Sequence, residues 1–249
     1  MVHVAAGVVR DRAGRVLLAR RHADTHQGGK WEFPGGKLEP GEPVLEGLRR
    51  ELREELGIHL LSASPLICVA HEYKDRSVLL DTWVVVDYRG EPRGREGQPL
   101  AWVLPEDLRD YPMPAADRPI ITAIDLPERF SLRAAPALDP GGRQRVFQMQ
   151  LGTRSETLHI VDTPAARHPH RRQERPNPWV ACRVTAVAAL ERCYRTGLDF
   201  LLLDAALHEM PERISPGIGL PVYLLSEPGA LDPNEVRAKG AQGVAELRH

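Results

Sequence analysis

The segment that most constrains this chain is VLEGLRRELREELG, residues 44–57. Its leucines recur at spacings of three and four residues, which places them on one stripe of a helix. They are Leu45, Leu48, Leu52 and Leu56. Pro43 stands where a helix tolerates a missing N–H, and Gly57 is a typical helix stop. The pattern therefore predicts an amphipathic helix over residues 44–56.

The same helix carries three glutamates, Glu51, Glu54 and Glu55, at spacings of three and four. At about 100° per residue their carboxylates converge on one face, about a quarter-turn from the leucines. Carboxylates this close repel one another, and their pKa values rise unless a cation compensates. Mg²⁺ prefers such oxygen ligands. The alternative is a solvated acidic face paired with the arginines of the helix, and the helix alone leaves both interpretations open.

The residues around the helix favour the metal. Gly36 is followed after five residues by Glu42 and, after seven more, by RELREELGI, residues 50–58. This pattern resembles the Nudix box, G-x5-E-x7-RE-U-x-EE-x-G-U with U aliphatic, and every fixed position matches. The resemblance implies a fold in which a mixed sheet lies between helices. It also implies Mg²⁺, with Mn²⁺ as an alternative, and hydrolysis of a nucleoside diphosphate linked to another group.

The resemblance also assigns roles to residues. It implies metal ligation by the side chains of Glu51, Glu54 and Glu55, helped by the backbone carbonyl of Gly35. Arg50 would orient Glu51 through a charge-assisted pair. Glu51 would accept or position the proton of the attacking water, so that Arg50, Glu51 and Glu54 form the catalytic set.

Segments outside the helix indicate which branch of the family the chain resembles. KWEFPGGKLEPGE (30–42), EGQP (96–99) and PAADRP (114–119) resemble the MutT branch, over about residues 1–128. That branch hydrolyses 8-oxo-dGTP to the monophosphate and pyrophosphate, and so removes a mutagenic nucleotide from the pool. The match implies Glu96 as a further metal ligand, and Arg21 and His26 as contacts to the substrate.

One position departs from that branch. Its members read the modified guanine with an asparagine amide, and the matching residue here is Asp117. An ionised aspartate can accept the guanine N1–H and N2–H but repels O6. A protonated Asp117 would restore a donor, and this requires a buried carboxyl with a raised pKa. Preference for 8-oxo-guanine is therefore a hypothesis.

The order of short apolar runs predicts two domains. Residues 1–128 contain two predicted hairpins, 3–21 and 66–88, and read as an α+β Nudix domain. A Pro-, Gly- and Arg-rich stretch over 127–145 marks the boundary. In residues 129–249 short apolar strands alternate with predicted helices, one of them at 185–197, which favours parallel βα units.

This second region resembles the closing strands of thiamine-phosphate synthase in GLPVYLL (219–225) and GAQGVAEL (240–247). The resemblance implies a partial TIM-barrel-like domain. It is shorter than the roughly 200 residues of a full barrel, and QMQL and LHIVD follow each other with no helix between them. Ser226-Glu227 places a negative charge where the synthases bind phosphate. We therefore expect a degenerate barrel whose exposed edge favours a homodimer or docking.

Composition excludes several other classes. Acidic and basic residues nearly balance, 34 against 33, so the bulk charge does not indicate nucleic acid or membrane as a partner. Three scattered cysteines argue against a disulfide framework, and no apolar segment approaches membrane-spanning length. We expect a soluble cytoplasmic enzyme with a nucleotide substrate. Alternatives are a Nudix hydrolase of another nucleotide, a nucleotide-binding regulator, and a bifunctional enzyme with thiamine-phosphate synthase activity.

Overall fold

A computed structural model of the chain describes residues 1–138, 145–161, 179–185, 198–204, 220–239 and 241–248. The chain divides into two compact units, Met1–Ile121 and Thr122–His249, each with hydrophobic clusters of its own. No helix among the described residues is long and apolar enough to cross a membrane.

The first unit is built from two small sheets and one long helix. Its strands are β1 (Val2–Val8), β2 (Val16–Arg20), β3 (Trp31–Glu32), β4 (Gly35–Lys37), β5 (His59–Glu72), β6 (Ser77–Arg89) and β7 (Leu100–Val103). Helix α1 (Val44–Leu56) follows β4, two 3₁₀ turns (Pro105–Asp110 and Ala115–Asp117) follow β7, and helix α2 (Arg118–Asp125) follows them. One sheet has the order β4-β1-β6-β5 and the other β3-β2-β7.

Helix α1 has the predicted bounds. Leu48, Leu52 and Leu56 are fully buried in one cluster with residues of β1 and β5. Gly57 ends the helix with φ 71°, a left-handed conformation, and its N–H donates to the Arg53 carbonyl. Glycine adopts this conformation at little cost, which is why the helix stops there.

The predicted mixed sheet is confirmed, with one change in its connections. β1 pairs with β6 in parallel and with β4 antiparallel, and β5–β6 form the predicted second hairpin. The predicted first hairpin is wrong as a strand pair, because β1 and β2 belong to different sheets. Only the bridge between Arg10 and Val16 joins them, so the turn is present and the chain changes sheet after it.

The second unit is a closed barrel of seven strands. They are β8 (Arg129–Leu138), β9 (Arg145–Leu151), β10 (Arg154–Val161), β11 (Trp179–Val184), β12 (Phe200–Leu203), β13 (Val222–Ser226) and β14 (Gly243–Arg248), with helix α3 (Pro233–Ala238) before β14. The order around the barrel is β10-β11-β12-β13-β14-β8-β9. All neighbouring pairs are parallel except those of β9, which is antiparallel to β8 and β10.

The prediction of an exposed sheet edge in the second unit is therefore wrong. β9 and β10 follow each other with no helix, as predicted, but the β9 hairpin strand fills the gap and pairs on both sides. A closed sheet has no free edge in these strands, so the edge provides no reason for dimerisation. The predicted helix at 185–197 lies largely outside the described residues.

Candidate active site

One cavity of about 400 Å³ in the first unit collects most of the predicted site residues. Its lining includes Arg21, His26, Gly35, Glu51, Glu55, Glu96 and Asp117. These residues come from the loop after β2, from β4, from α1, from the loop before β7 and from the turn before α2. Two predicted residues, Arg50 and Glu54, are not among those that line the cavity.

The backbone of β4 packs tightly against helix α1 and strand β1. A Cβ at Gly36 would lie 2.3 Å from the Glu51 carboxyl carbon, and one at Gly35 would lie 2.1 Å from the Ala5 carbonyl oxygen. Gly35 also has φ 145°, which other residues rarely adopt. Gly36 thus lets the Glu51 carboxylate lie directly against the backbone of β4, and Gly35 lets that backbone lie close to β1.

The carboxyl group of Glu55 lies in an environment that disfavours its ionised form. Burial raises its pKa to about 8, and the charges of Glu32, Glu51 and Glu96 push it in the same direction. The Gly35 N–H opposes this by donating to Glu55 Oε2 at 3.1 Å. Burial likewise raises the pKa of Glu51. The site therefore crowds together carboxyl groups whose ionisation is opposed by burial and by their mutual repulsion.

Arg50 holds the loop and the helix together. Its Nε and Nη2 donate to the two oxygens of Glu42 at 3.0 and 2.9 Å, and its Nη2 also donates to the Lys37 carbonyl at 3.0 Å. These bonds lower the pKa of Glu42 to about 2. Arg50 Nη1 donates to Glu51 Oε1 at 2.8 Å and lies 3.5 Å from Glu54 Oε2. Arg50 thus holds the Glu51 carboxylate in place.

The donor set fits a hard divalent cation. It consists of carboxylate and carbonyl oxygens, the ligands that Mg²⁺ and Mn²⁺ prefer, and burial beside other acidic side chains raises the pKa of Glu55. No three His, Cys, Asp or Glu side chains within the described ranges are grouped closely enough to hold a metal ion. In this arrangement Arg50 and the Gly35 N–H occupy oxygens that a metal would need. The five-residue ligand set stays a prediction.

Glu96 lies on a loop that is fixed to the end of α1. Gln98 Oε1 accepts the Glu96 N–H at 2.9 Å, and Gln98 Nε2 donates to the Glu55 carbonyl at 3.1 Å. The Arg95 N–H also donates to the Glu55 carbonyl, at 2.9 Å. Helix carbonyls in the last turn lack partners within the helix, and this loop satisfies one of them.

Arg21 and His26 meet at one wall of the cavity. Arg21 forms an ion pair with Glu32, and its Nε donates to the His26 carbonyl at 2.8 Å. His26 Nδ1 lies 3.3 Å from Asp75 Oδ2, while its buried Nε2 has no hydrogen-bond partner among the described residues. Both side chains line the cavity, and their contact with substrate stays a prediction.

Asp117 also lines the cavity and is 5% exposed. Burial raises its pKa to about 8, and the charge of Glu32 adds to this, while the Phe33 N–H and the Arg21 charge oppose it. Next to it, the Ala116 N–H donates to the Tyr73 hydroxyl at 3.3 Å. A hydrogen-bond donor at this position requires a buried carboxyl with a raised pKa, and Asp117 meets this requirement.

Sequence reasoning missed three residues of this site. Glu32 and Tyr73 line the cavity, and Gln98 both lines it and positions Glu96. Glu32 lies in the WEF segment and Gln98 in EGQP, both of which were used only as marks of the family. Because Glu32 and Gln98 lie in these motifs, the motifs are the signal that could have identified both residues. Tyr73, an aromatic residue at the end of a strand, had no such signal.

Comparison with known proteins agrees with this geometry. A NUDIX domain family model matches residues 5–123. The chain is 40% identical over 139 residues to the CTP pyrophosphohydrolase of Escherichia coli (strain K12), covering 56% of this chain and 98% of that protein. It is 37% identical over 123 residues to the 8-oxo-dGTP diphosphatase of the same strain, covering 49% of this chain and 95% of that protein.

A solved MutT structure, from work on Aliivibrio salmonicida and Vibrio cholerae, is 32% identical, with 49% of this chain and 95% of that chain covered and a TM-score of 0.44. Through its N-terminal half, the chain belongs to the NUDIX family.

Proposed function

We propose that the chain is a Mg²⁺-dependent pyrophosphohydrolase that converts 8-oxo-dGTP, or a related purine nucleoside triphosphate, to the monophosphate and pyrophosphate. In the cytoplasm this activity would sanitise the nucleotide pool. One observation carries the proposal: the acidic residues Glu51, Glu55 and Glu96 line the same cavity as the buried Asp117. A triphosphate and a base could thus be held in one site.

The roles follow from position. Glu51, oriented by Arg50 at 2.8 Å, would accept the proton of the attacking water. Glu55, Glu96 and the Gly35 carbonyl would hold the metal together with Glu51 and Glu54. When bound, Mg²⁺ supplies charge neutralisation for the triphosphate and for the developing negative charge.

The base would be read by a protonated Asp117. A neutral carboxyl can donate to guanine O6 while it accepts from guanine N1–H, as an asparagine amide does. The raised pKa of Asp117 supports this form near neutral pH. The departure from asparagine is therefore compatible with reading guanine.

A second candidate substrate is CTP. A neutral carboxyl can also donate to cytosine N3 and accept from the cytosine N4 amino group. The relative that is 40% identical is named CTP pyrophosphohydrolase, which supports this alternative. Either base could use Asp117, and only kinetics separates them.

The test is a pyrophosphate-release screen of the full chain with Mg²⁺ and 8-oxo-dGTP, dGTP or CTP. We expect kcat/KM for 8-oxo-dGTP to exceed that for dGTP. Equal values for these two would refute the oxidised-guanine preference, and a higher value for CTP would replace it with the second candidate.

The same screen includes variants of the acidic helix. Glu51→Gln or Glu54→Gln should lower turnover by roughly 10²- to 10⁴-fold, because a neutral amide neither takes the proton nor holds the metal as well. Glu106→Gln, an exposed acid outside the cavity, serves as the matched control. Turnover like that of the wild type in either helix variant would contradict the proposal. Nucleotide binding without any turnover in the wild type would favour a regulatory protein.

A further inference from the structure

Tyr73 contacts three of the segments that form the cavity of the first unit. It is the first residue after β5, in the turn that leads to β6, and its side chain lines the cavity. The loop after β2 and the turn before α2 reach it through His26 and Ala116, which line the same cavity. The proposed reaction assigns Tyr73 no role.

The hydroxyl of Tyr73 holds the turn that carries Asp117. The Ala116 N–H donates to this hydroxyl at 3.3 Å, and Ala116 directly precedes Asp117 in the 3₁₀ turn Ala115–Asp117. The first N–H groups of a helical turn lack partners within it. Ala116 is buried, and a buried N–H without a partner is costly. The hydroxyl therefore supplies a hydrogen bond that this turn needs.

The ring of Tyr73 is held on two sides by histidines. Its centroid lies 4.9 Å from that of His26 and 4.5 Å from that of His71, both in edge-to-face arrangements. Aromatic rings attract each other in this geometry, because the edge of one ring faces the π-electrons of the other. His26 Nδ1 also lies 3.3 Å from Asp75 Oδ2, in the same turn as Tyr73. These contacts keep the hydroxyl close to Ala116.

Tyr73 and Asp117 also influence each other electrostatically. Burial raises the pKa of the Tyr73 phenol, the Ala116 N–H opposes this, and the charge of Asp117 adds to the rise. The two side chains are therefore neighbours in the cavity, as the hydrogen bond through Ala116 requires.

We propose that Tyr73 is a positioning residue for base recognition, which fixes the Asp117 carboxyl where it contacts the base. This inference rests on the proposed reading of the base by Asp117. Tyr73 acts through the backbone of Ala116 and touches no reacting group, so it should affect the affinity for the base and not the metal centre. The loss of one neutral hydrogen bond corresponds to a change in affinity of roughly three- to tenfold.

The test is calorimetric titration of the full chain with CMP and with 8-oxo-dGMP, the monophosphates that the two candidate reactions release. EDTA is present, so that binding does not depend on a metal. Tyr73→Phe removes the hydroxyl and keeps the ring between the histidines. We expect the monophosphate that the wild type binds more tightly to bind this variant roughly three- to tenfold more weakly. Tyr88→Phe, which removes a hydroxyl on β6 outside the cavity, should bind it as the wild type does.

Two further measurements separate positioning from general structural damage. In the Asp117→Ala background, Tyr73→Phe should have little further effect on binding, because the group that it positions is absent. The affinity for Mn²⁺, measured by electron paramagnetic resonance, should be the same in Tyr73→Phe and the wild type. Melting temperatures near that of the wild type show that the variants fold.

Four results would overturn the proposal. The wild type could bind neither monophosphate, or Tyr73→Phe could bind as tightly as the wild type. The loss could be equally large in the Asp117→Ala background, which would mean that Tyr73 does not act through Asp117. Mn²⁺ binding could weaken as much as base binding, which would indicate damage to the whole site.

The proposed function fails on a different result. A wild type that binds a monophosphate and releases pyrophosphate from no nucleotide would refute the hydrolysis, while the titrations would still decide the role of Tyr73.

Discussion

At the scale of single residues, the proposed reading of the base depends on Asp117. Its carboxyl is buried, and its pKa of about 8 keeps it protonated near pH 7. The protonated form is both donor and acceptor, whereas the ionised form only accepts. The residue that departs from the family pattern can therefore perform the same reading as an amide, within a limited range of pH.

This gives a prediction on pH. As the pH rises through about 8, Asp117 ionises and loses its donor, so kcat/KM for CTP should fall. For guanine substrates the fall should be smaller, because the ionised form still accepts N1–H and N2–H. Asp117→Asn should remove the fall, since an amide keeps its donor at every pH.

The measurement is the ratio of kcat/KM for wild type and Asp117→Asn from pH 6 to 9.5 on each substrate, at saturating Mg²⁺. The ratio cancels titrations that both proteins share, including that of Glu55. A ratio that does not change with pH would show that Asp117 does not titrate in contact with the base.

At the scale of helices, strands and loops, the geometry of the site depends on the contacts that loops make with helix α1. The helix itself was predictable, because its leucine spacing and Gly57 are local signals. The loop that carries Glu96 was not, since its attachment runs through Gln98 to the Glu55 carbonyl, a contact between residues far apart in sequence. The ion pair of Arg21 with Glu32 joins the loop after β2 to β3, and it was likewise not predicted.

Gln98 therefore has a testable role as a positioning residue. It is 8% exposed, and Gln98→Leu removes both of its hydrogen bonds with little change in volume. We expect roughly tenfold weaker Mn²⁺ binding, measured by electron paramagnetic resonance, because Glu96 would lose its fixed position. Gln148→Leu, an exposed glutamine in the barrel, is the control. Unchanged Mn²⁺ affinity in Gln98→Leu would mean that the loop holds its position without this side chain.

At the scale of the whole molecule, two units carry separate cores. The strand pattern predicted most of the barrel strands, but not that β9 closes the barrel, because that depends on a pairing between β8 and β9 which no local signal specifies. Since each unit contains its own hydrophobic clusters, we expect calorimetry of the full chain to give two unfolding transitions.

A ligand of the first unit should then move one transition alone. Mg²⁺ with a non-hydrolysable nucleoside triphosphate at about 100 times its Kd should stabilise one transition by about 2.7 kcal/mol and leave the other in place. Glu51→Gln, which weakens metal binding, should reduce this shift. A single transition for the whole chain, moved as one by the nucleotide, would contradict the independence of the two units.

In the proposed reaction, water directed by the carboxylates of α1 attacks the β-phosphorus of a nucleoside triphosphate. The most direct measurement is hydrolysis of 8-oxo-dGTP and CTP with Mg²⁺ in ¹⁸O-labelled water, with both products analysed by mass spectrometry. We predict that one ¹⁸O enters the pyrophosphate and none enters the monophosphate, with turnover strongly reduced in Glu51→Gln. Label in the monophosphate, or products consisting of a diphosphate and free phosphate, would contradict the claim.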